Sequence, residues 1–333
     1  MKNSKQLLVG VIGSIFCATA SISQAQSSAN TNTGVSIFGE LDVSIANIKT
    51  PGTPSVNALA SGLGNQSHIG FRGIESLGSG VSAFFILDSF IAVDTGSSTP
   101  NLWGRESSVG IKSEMGSIAL GRNSSPIFDA AVENNVFGNA RLAPLFGAIG
   151  FATSHALNSA QDNSIRYRLP ALQGFGGGFL YRVKESSGSE YWTADLNYTT
   201  GASKMSIAVD HSKPDLLAGE LTSVLASLNH DFGNFRLYGN LLSQRDSTAQ
   251  QKARGADVGL LLPWSPQRAF KFAFAYGEKS KLDNTAKQHI SVFGFAHEYY
   301  FSKRTTLYIM RQQQKFSQLP SGSSMTLGMT HKF

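Results

Sequence analysis

Arg268-Ala269-Phe270-Lys271-Phe272-Ala273-Phe274-Ala275-Tyr276 is the stretch that decides the reading of this chain. Every second side chain is Phe or Tyr, and those between are Ala or Lys. A helix would scatter the rings around its axis. An extended strand sends successive side chains to opposite faces, so all four rings share one face. The same period of two returns elsewhere. Trp192, Ala194, Leu196 and Tyr198 alternate with Thr193, Asp195 and Asn197, and Met205, Ile207 and Val209 with Lys204, Ser206, Ala208 and Asp210. Phe235, Leu237 and Leu241 alternate with Asn234, Arg236 and Asn240, and Met325, Leu327, Met329 and Phe333 with Ser324, Thr326, Thr330 and Lys332.

Sixteen strand segments can be drawn this way, at 34–47, 66–75, 80–90, 104–113, 116–122, 163–169, 176–184, 190–199, 203–212, 222–232, 234–245, 254–263, 268–278, 288–301, 304–315 and 323–333. No segment past residue 25 shows a helical period. The connections alternate in length. Short ones at 76–79, 114–115, 201–202, 233, 264–267 and 302–303 are separated by longer polar ones at 50–65, 91–103, 213–221, 247–252 and 279–287.

Residues 1–25 read as an export signal: Lys2 and Lys5, an apolar run from Leu7 to Ala18, then Ser23-Gln24-Ala25 as a small-x-small cleavage site. Cleavage after Ala25 leaves residues 26–333 as a single domain, 308 of the 333 residues. Its charge falls from +6 to +4, because both lost charges are lysines. The only cysteine, Cys17, leaves with the signal, which removes disulfides, thiolate metal sites and Cys nucleophiles.

Only 15% of residues are charged, against roughly 25% in soluble domains. That is too sparse for a disordered chain or coiled coil, and 28 bases against 22 acids is too thin an excess for a nucleic-acid partner. No mature run reaches the ~18 apolar residues of a spanning helix. Two classes remain: a soluble β-protein, or a membrane barrel whose apolar surface is spread over alternating strands.

Loop lengths favour the barrel. Short turns at one rim and long loops at the other are expected of it, and a β-sandwich has no reason for them. Aromatics near strand ends (Trp192, Tyr198, Tyr276, Tyr299, Phe333) suit the interfacial girdles. Closure is obligatory, since an open strand edge in hydrocarbon would leave backbone groups unpaired. The expectation is an all-β, 16-stranded antiparallel transmembrane β-barrel in contact with outer-membrane lipids.

At this point the chain resembles the general (Gram-negative) porin family. The resemblance rests on Ser36-Ile37-Phe38-Gly39-Glu40-Leu41-Asp42, Ile69-Gly70-Phe71-Arg72-Gly73-Ile74-Glu75, Leu77-Gly78-Ser79-Gly80 and Gly116-Ser117-Ile118-Ala119-Leu120-Gly121-Arg122. Asp162-Asn163-Ser164-Ile165-Arg166-Tyr167, Ser302-Lys303-Arg304-Thr305 and the terminal Phe333 extend it over nearly the whole mature chain. It implies a homotrimer in the cell outer membrane, with small hydrophilic solutes and ions diffusing through each barrel.

The connection at 123–162 is far longer than the usual 2–6 residues. It carries Pro126, Phe128, Phe137, Pro144, Leu145, Phe146 and Phe151, too apolar for a solvated loop. Two readings stand: an outer loop packed over the rim, or a constriction loop folded into the lumen, which its family position implies. Its charges are Asp129, Glu133 and Arg141.

Parity also sorts the wall charges. With Ile165, Tyr167 and Leu169 facing lipid, Arg166 and Arg168 face the lumen, and with Phe179, Tyr181 and Val183 outward, so do Arg182 and Lys184. Glu40 and Asp42 on the first strand, and Glu106 and Lys112 on the fourth, fall inside by the same count. The family resemblance implies wall bases opposite loop acids, setting up a transverse field. Arg122 matches the basic position opening the loop, and Arg166 or Arg168 a second, while His68 stands where the family usually has Arg. Arg122 shares parity with Ile118 and Leu120, so an inward placement needs a bulge or a strand end.

The expected function is passive diffusion through a water-filled pore, with mild anion preference and no cofactor. Two alternatives are an outer-membrane enzyme and an adhesin. Neither Gly-x-Ser-x-Gly nor His-Glu-x-x-His occurs, His211, His230 and His297 read as strand or rim residues, and the remaining loops are modest for a binding head.

Overall fold

A computed structural model describes residues 33–98, 101–145, 147–148, 159–185, 190–213 and 219–333. The expected signal segment and its cleavage site lie outside them, as do Phe146 and Phe151. The chain forms β1 (Gly34–Lys49), β2 (Val56–Ser61), β3 (His68–Gly78), β4 (Val81–Phe90), β5 (Glu106–Ser113) and β6 (Gly116–Ser124). A helix, α1 (Pro126–Glu133), is followed by β7 (Ala160–Arg168), β8 (Phe175–Arg182), β9 (Glu190–Thr200), β10 (Ser203–Lys213), β11 (Leu221–Asp231) and β12 (Arg236–Asp246). The last five are β13 (Gln251–Ser265), β14 (Arg268–Lys281), β15 (Gln288–Tyr300), β16 (Thr305–Phe316) and β17 (Gly322–Lys332).

All pairings are antiparallel. β17 returns to β1 in register from Glu40 opposite Lys332 to Lys49 opposite Ser323, and this closes the sheet. On its other side β1 meets β3 over Gly34–Glu40 and β2 over Val43–Ile48. β2 therefore continues the line of β3, and seventeen segments make a sixteen-stave barrel. This corrects the reading of 50–65 as a polar connection. Val56 shares a face there with Ala58, and Leu59 shares the other with Asn57, so these six residues carry no apolar–polar alternation to read.

The period of two holds as expected. On β14 the rings of Phe274 and Tyr276 point outward (53% and 39% exposed), while Ala269, Ala273 and Ala275 are buried inside. The lipid face continues around the barrel with Ile37, Ile45, Val109, Ile207, Leu241, Val258 and Leu327. Exposed rings gather at the short-turn rim, including Phe175, Phe232, Trp264, Phe301 and Phe333. Among the described residues no helix is long and apolar enough to cross a membrane.

The helix departs from the expectation of strands alone. Ser125 caps it, its side chain accepting from the Phe128 N–H, and Pro126 occupies the first turn, where its missing N–H costs nothing. Eight residues are too few for a helical period to register among so many strands. α1 buries Ile127, Ala130 and Ala131 against Ala208, Leu225 and Leu242, which lie on the inward parity of β10, β11 and β12. Farther on, Val136, Phe137, Ala140 and Ala143 pack with Leu261, Ala273, Ala296 and Met310 of the wall. Small wall residues make room for this segment. A Cβ on Gly294 would stand 2.6 Å from Pro144, and one on Gly259 2.7 Å from Val136.

The closing seam has its own lock. The Tyr308 ring lies between Gly64 and Gly328, where added Cβ atoms would stand 2.3 and 2.4 Å from it. Its hydroxyl donates to Asp42 Oδ1 at 3.1 Å, while Thr330 donates to Oδ2 and the Gly64 N–H also donates to Oδ1.

The parity makes a direct prediction. Val258 lies mid-strand on the lipid face, so Val258→Arg should lower the folding free energy in lipid vesicles by roughly 2–4 kcal/mol. Val258→Leu should leave it nearly unchanged. Urea titration of refolding, followed by circular dichroism, measures the difference.

Candidate pore lining

The sheet brings the loop acids and wall bases together at α1. Arg166 on β7 is 4% exposed, and its Nη2 donates to Asp129 Oδ2 at 2.7 Å while Nη1 donates to the Ser124 carbonyl. Ser124 Oγ donates to the other Asp129 oxygen. Arg168, 28% exposed, approaches Asp129 Oδ2 at 3.6 Å. One turn along, Glu133 pairs with Lys204 of β10. Asn134 then ties the segment to three strands: it donates to Ser206 Oγ, and it accepts from Asn229 on its side chain and Asn240 on its carbonyl. Gln312 of β16 holds the Leu142 carbonyl.

Asp129 sits in the first turn of α1, where the helix dipole also favours an anion. Burial pushes its carboxyl up, but Arg166, Arg168 and the Ser124 hydrogen bond prevail and hold it below the ordinary 3.8.

Between α1 and the short-turn rim lies a cavity of about 670 Å3. Arg72, Lys112, Arg166, Arg168 and Lys204 border it, with Glu106, Asp129, Glu133 and Asp195. Expected lumen residues Lys112, Glu106, Arg166 and Arg168 thus share one space with the loop acids. Arg182 is also inward, its Nη1 donating to Gln161 Oε1 and its guanidinium over the Tyr191 ring. His68 faces inward beside Asp88, Nδ1 to Oδ1 at 3.0 Å, and Arg105 closes the other oxygen of that carboxylate.

Three expectations change. Arg122 does not join the cluster. Register sets it opposite Ser107, on the face of Val109 and Leu120, because a bulge next to Asn163, which has φ of 51°, absorbs the irregularity on β7. Its guanidinium instead bonds the Gly104 carbonyl and Asp162 near the rim. Glu40 and Asp42 do face inward, but the 62–67 turn covers them. Asn65 and Lys332 meet Glu40, and Asp42 is fully buried in the seam. Nor do acids and bases face each other across a gap: Asp129 and Glu133 touch their partners.

Sequence reasoning misses Arg72, Lys204, Asp195, Asp88 and Arg105. Lys204 and Asp195 are legible, since both lie on the polar parity of their strands. Arg72 is not, because Ile74 shares its parity and breaks the alternation. No group of three or more potential metal ligands occurs among the described residues.

The profile of the Gram-negative porin family matches residues 13–319. The chain belongs to the Gram-negative porins. Outer membrane porin protein 32 of Delftia acidovorans is 27% identical over 304 residues, which cover 85% of this chain and 84% of that protein. Among solved structures, an anion-selective porin from Comamonas acidovorans superposes with a TM-score of 0.82 at 22% identity, covering 91% of this porin and all of that chain. OmpT of Vibrio cholerae in its trimer form gives 0.72 at 10% identity, covering 90% and 99%. Membership places this porin in the outer membrane.

The Asp129 pairing carries a testable pH sign. Because its pKa is lowered, the anchoring is complete at neutral pH and is lost only as pH falls through that lowered value. Hydrogen exchange across 126–133 should therefore be unchanged, apart from the intrinsic rate, between pH 7 and 5. Asp129→Asn should weaken its protection by roughly 3 kcal/mol already at pH 7, as when one partner of a buried pair is removed.

Proposed function

We propose that this porin is a water-filled channel for passive diffusion of small hydrophilic solutes and ions, with a mild preference for anions. The observation that carries the reading is the cavity beside α1, bordered by Arg72, Lys112, Arg168 and Lys204 within a cylinder whose outer face is apolar. Sixteen strands enclose more width than side chains fill, so a narrowing element is needed for selectivity. The segment from Ser125 to Leu145 fills that role, constricting the bore from its seat on the inner wall. Arg168 and Lys204 form the basic side of the eyelet, and Asp129 and Glu133 temper them.

Anion preference follows from exposure. Glu106 is 5% exposed and the loop acids are engaged, while Arg168 keeps part of its guanidinium in water. The anion-selective porin that shares this fold supports the same sign. A homotrimer is the proposed assembly, supported by the trimer form of OmpT. Export with loss of residues 1–25 completes the proposal, and N-terminal sequencing of the mature protein tests the cut after Ala25.

Planar-bilayer recording decides the function. The expected result is conductance in KCl that appears and closes in three equal steps, with a reversal potential in a salt gradient on the anion side. Arg168→Gln with Lys204→Gln should move that potential toward cations. Silent bilayers from folded, inserted protein would overturn the channel reading.

A further inference from the structure

The wall opposite α1 departs from the polar lining that a diffusion channel needs. Inward-facing positions follow from register: Ser36 pairs with Arg72, Arg72 with Ile86, and Ile86 with Ser108. The same rows put Ile74 beside Phe84, and Phe84 beside Gly110. Ile74, Phe84 and Ile86 thus share the inner face with Arg72, and all four border the cavity. Ile74 is 41% exposed, and Phe84 and Ile86 are half-buried, so part of this apolar surface is left uncovered by the described residues. Glycine sustains it: a Cβ on Gly110 would stand 2.5 Å from the Phe84 ring.

Arg72 is set as a receptor for an anion. Its Nε donates to Ser36 Oγ at 3.2 Å, and its guanidinium carbon lies 5.1 Å from the centre of the Phe38 ring. These two contacts fix the plane of the group while its terminal nitrogens stay open to the cavity. No carboxylate among the described residues lies within ion-pair distance of it, unlike Arg166, Arg168 and Lys204. A preset, exposed guanidinium offers two parallel N–H donors, the geometry that carboxylates accept.

We propose that Arg72, Ile74, Phe84 and Ile86 form a subsite for carboxylates carrying an apolar body, such as a short aryl-alkyl acid. The carboxylate seats on Arg72, and its ring or chain covers Ile86 and Phe84. The cationic end of the site excludes a neutral hydrocarbon as the best occupant, and the apolar floor distinguishes this solute from chloride or phosphate. The subsite sits between the constricting segment and the short-turn rim, where a solute that has passed the eyelet is retained before release. This inference rests on the channel reading and adds a solute class to it.

The test separates the two. KCl conductance is recorded first, since its absence would defeat the channel reading alone. With conducting channels, 3-phenylpropionate and propionate are added at equal ionic strength on the side of the short-turn rim. Phenylpropionate should interrupt the current at concentrations about tenfold lower than propionate, the ratio produced by roughly 1.4 kcal/mol of apolar contact. Arg72→Gln should lose block by both acids, read as the fraction of its own KCl current that each acid interrupts. Ile86→Ser should lose only the preference for phenylpropionate. Equal block by both acids in the unaltered channel, or undiminished block in Arg72→Gln, would overturn the subsite. Should Arg72→Gln fail to insert, titration calorimetry of phenylpropionate against detergent-solubilised unaltered and Ile86→Ser proteins decides, and equal heats overturn it.

Discussion

Hydrocarbon offers no hydrogen-bond partner to a peptide group, and every other feature of this molecule follows from that constraint. Each strand needs two neighbours, so the sheet has no stable edge until β17 reaches β1. Once closed, the strand period sorts side chains without further instruction. Ile, Leu, Val and Phe go to lipid, and the intervening positions go inward, where the chain is free to be polar. The sparse charge of the sequence reflects this division, since about half of each spanning strand must carry none.

The inner face is itself divided by what touches it. Where α1 and the segment after it lie against the wall, the inward residues are Leu225, Leu242, Ala273, Gly259 and Gly294, small or apolar partners for a packed surface. Where water remains, they are Arg168, Lys204 and Asp195. Ion pairs mark the boundary between the two regions. Asp129 and Glu133 satisfy bases that would otherwise be left in a poorly solvated crevice, so the contact that holds the helix also subdues the charge of the wall. The exception is the patch around Ile74, Phe84 and Ile86, which is apolar yet is not fully covered by the described residues.

Much of this is legible in the order of residues alone. Alternation such as Phe270 to Tyr276 is sufficient for the strands, because burial on one side and lipid on the other leave no competing pattern. The inward placement of Arg166, Arg168, Arg182, Glu106 and Lys112 follows from parity by itself. Parity fails where strands end or slip. Arg122 lies one residue from a register shift, and counting along β6 cannot tell which strand will absorb it. Nor does parity distinguish water from protein. Glu40 and Asp42 are inward but covered, because a turn twenty-odd residues later folds over them. Such tertiary cover leaves no periodic trace. α1 escapes for a related reason: its stability comes from the wall it rests on, and its own eight residues hold little helical signal.

The Tyr308 lock gathers residues from near both ends of the polypeptide: Asp42, Gly64, Tyr308, Gly328 and Thr330. Its members are separated by almost the full length of the chain, so ring closure is dominated by distant contacts, which form slowly. A growing polypeptide cannot make it. A sheet without β17 carries two unpaired margins, at β1 and at β16. The seam is therefore the final joint of the barrel to seal, since it needs both margins of the sheet.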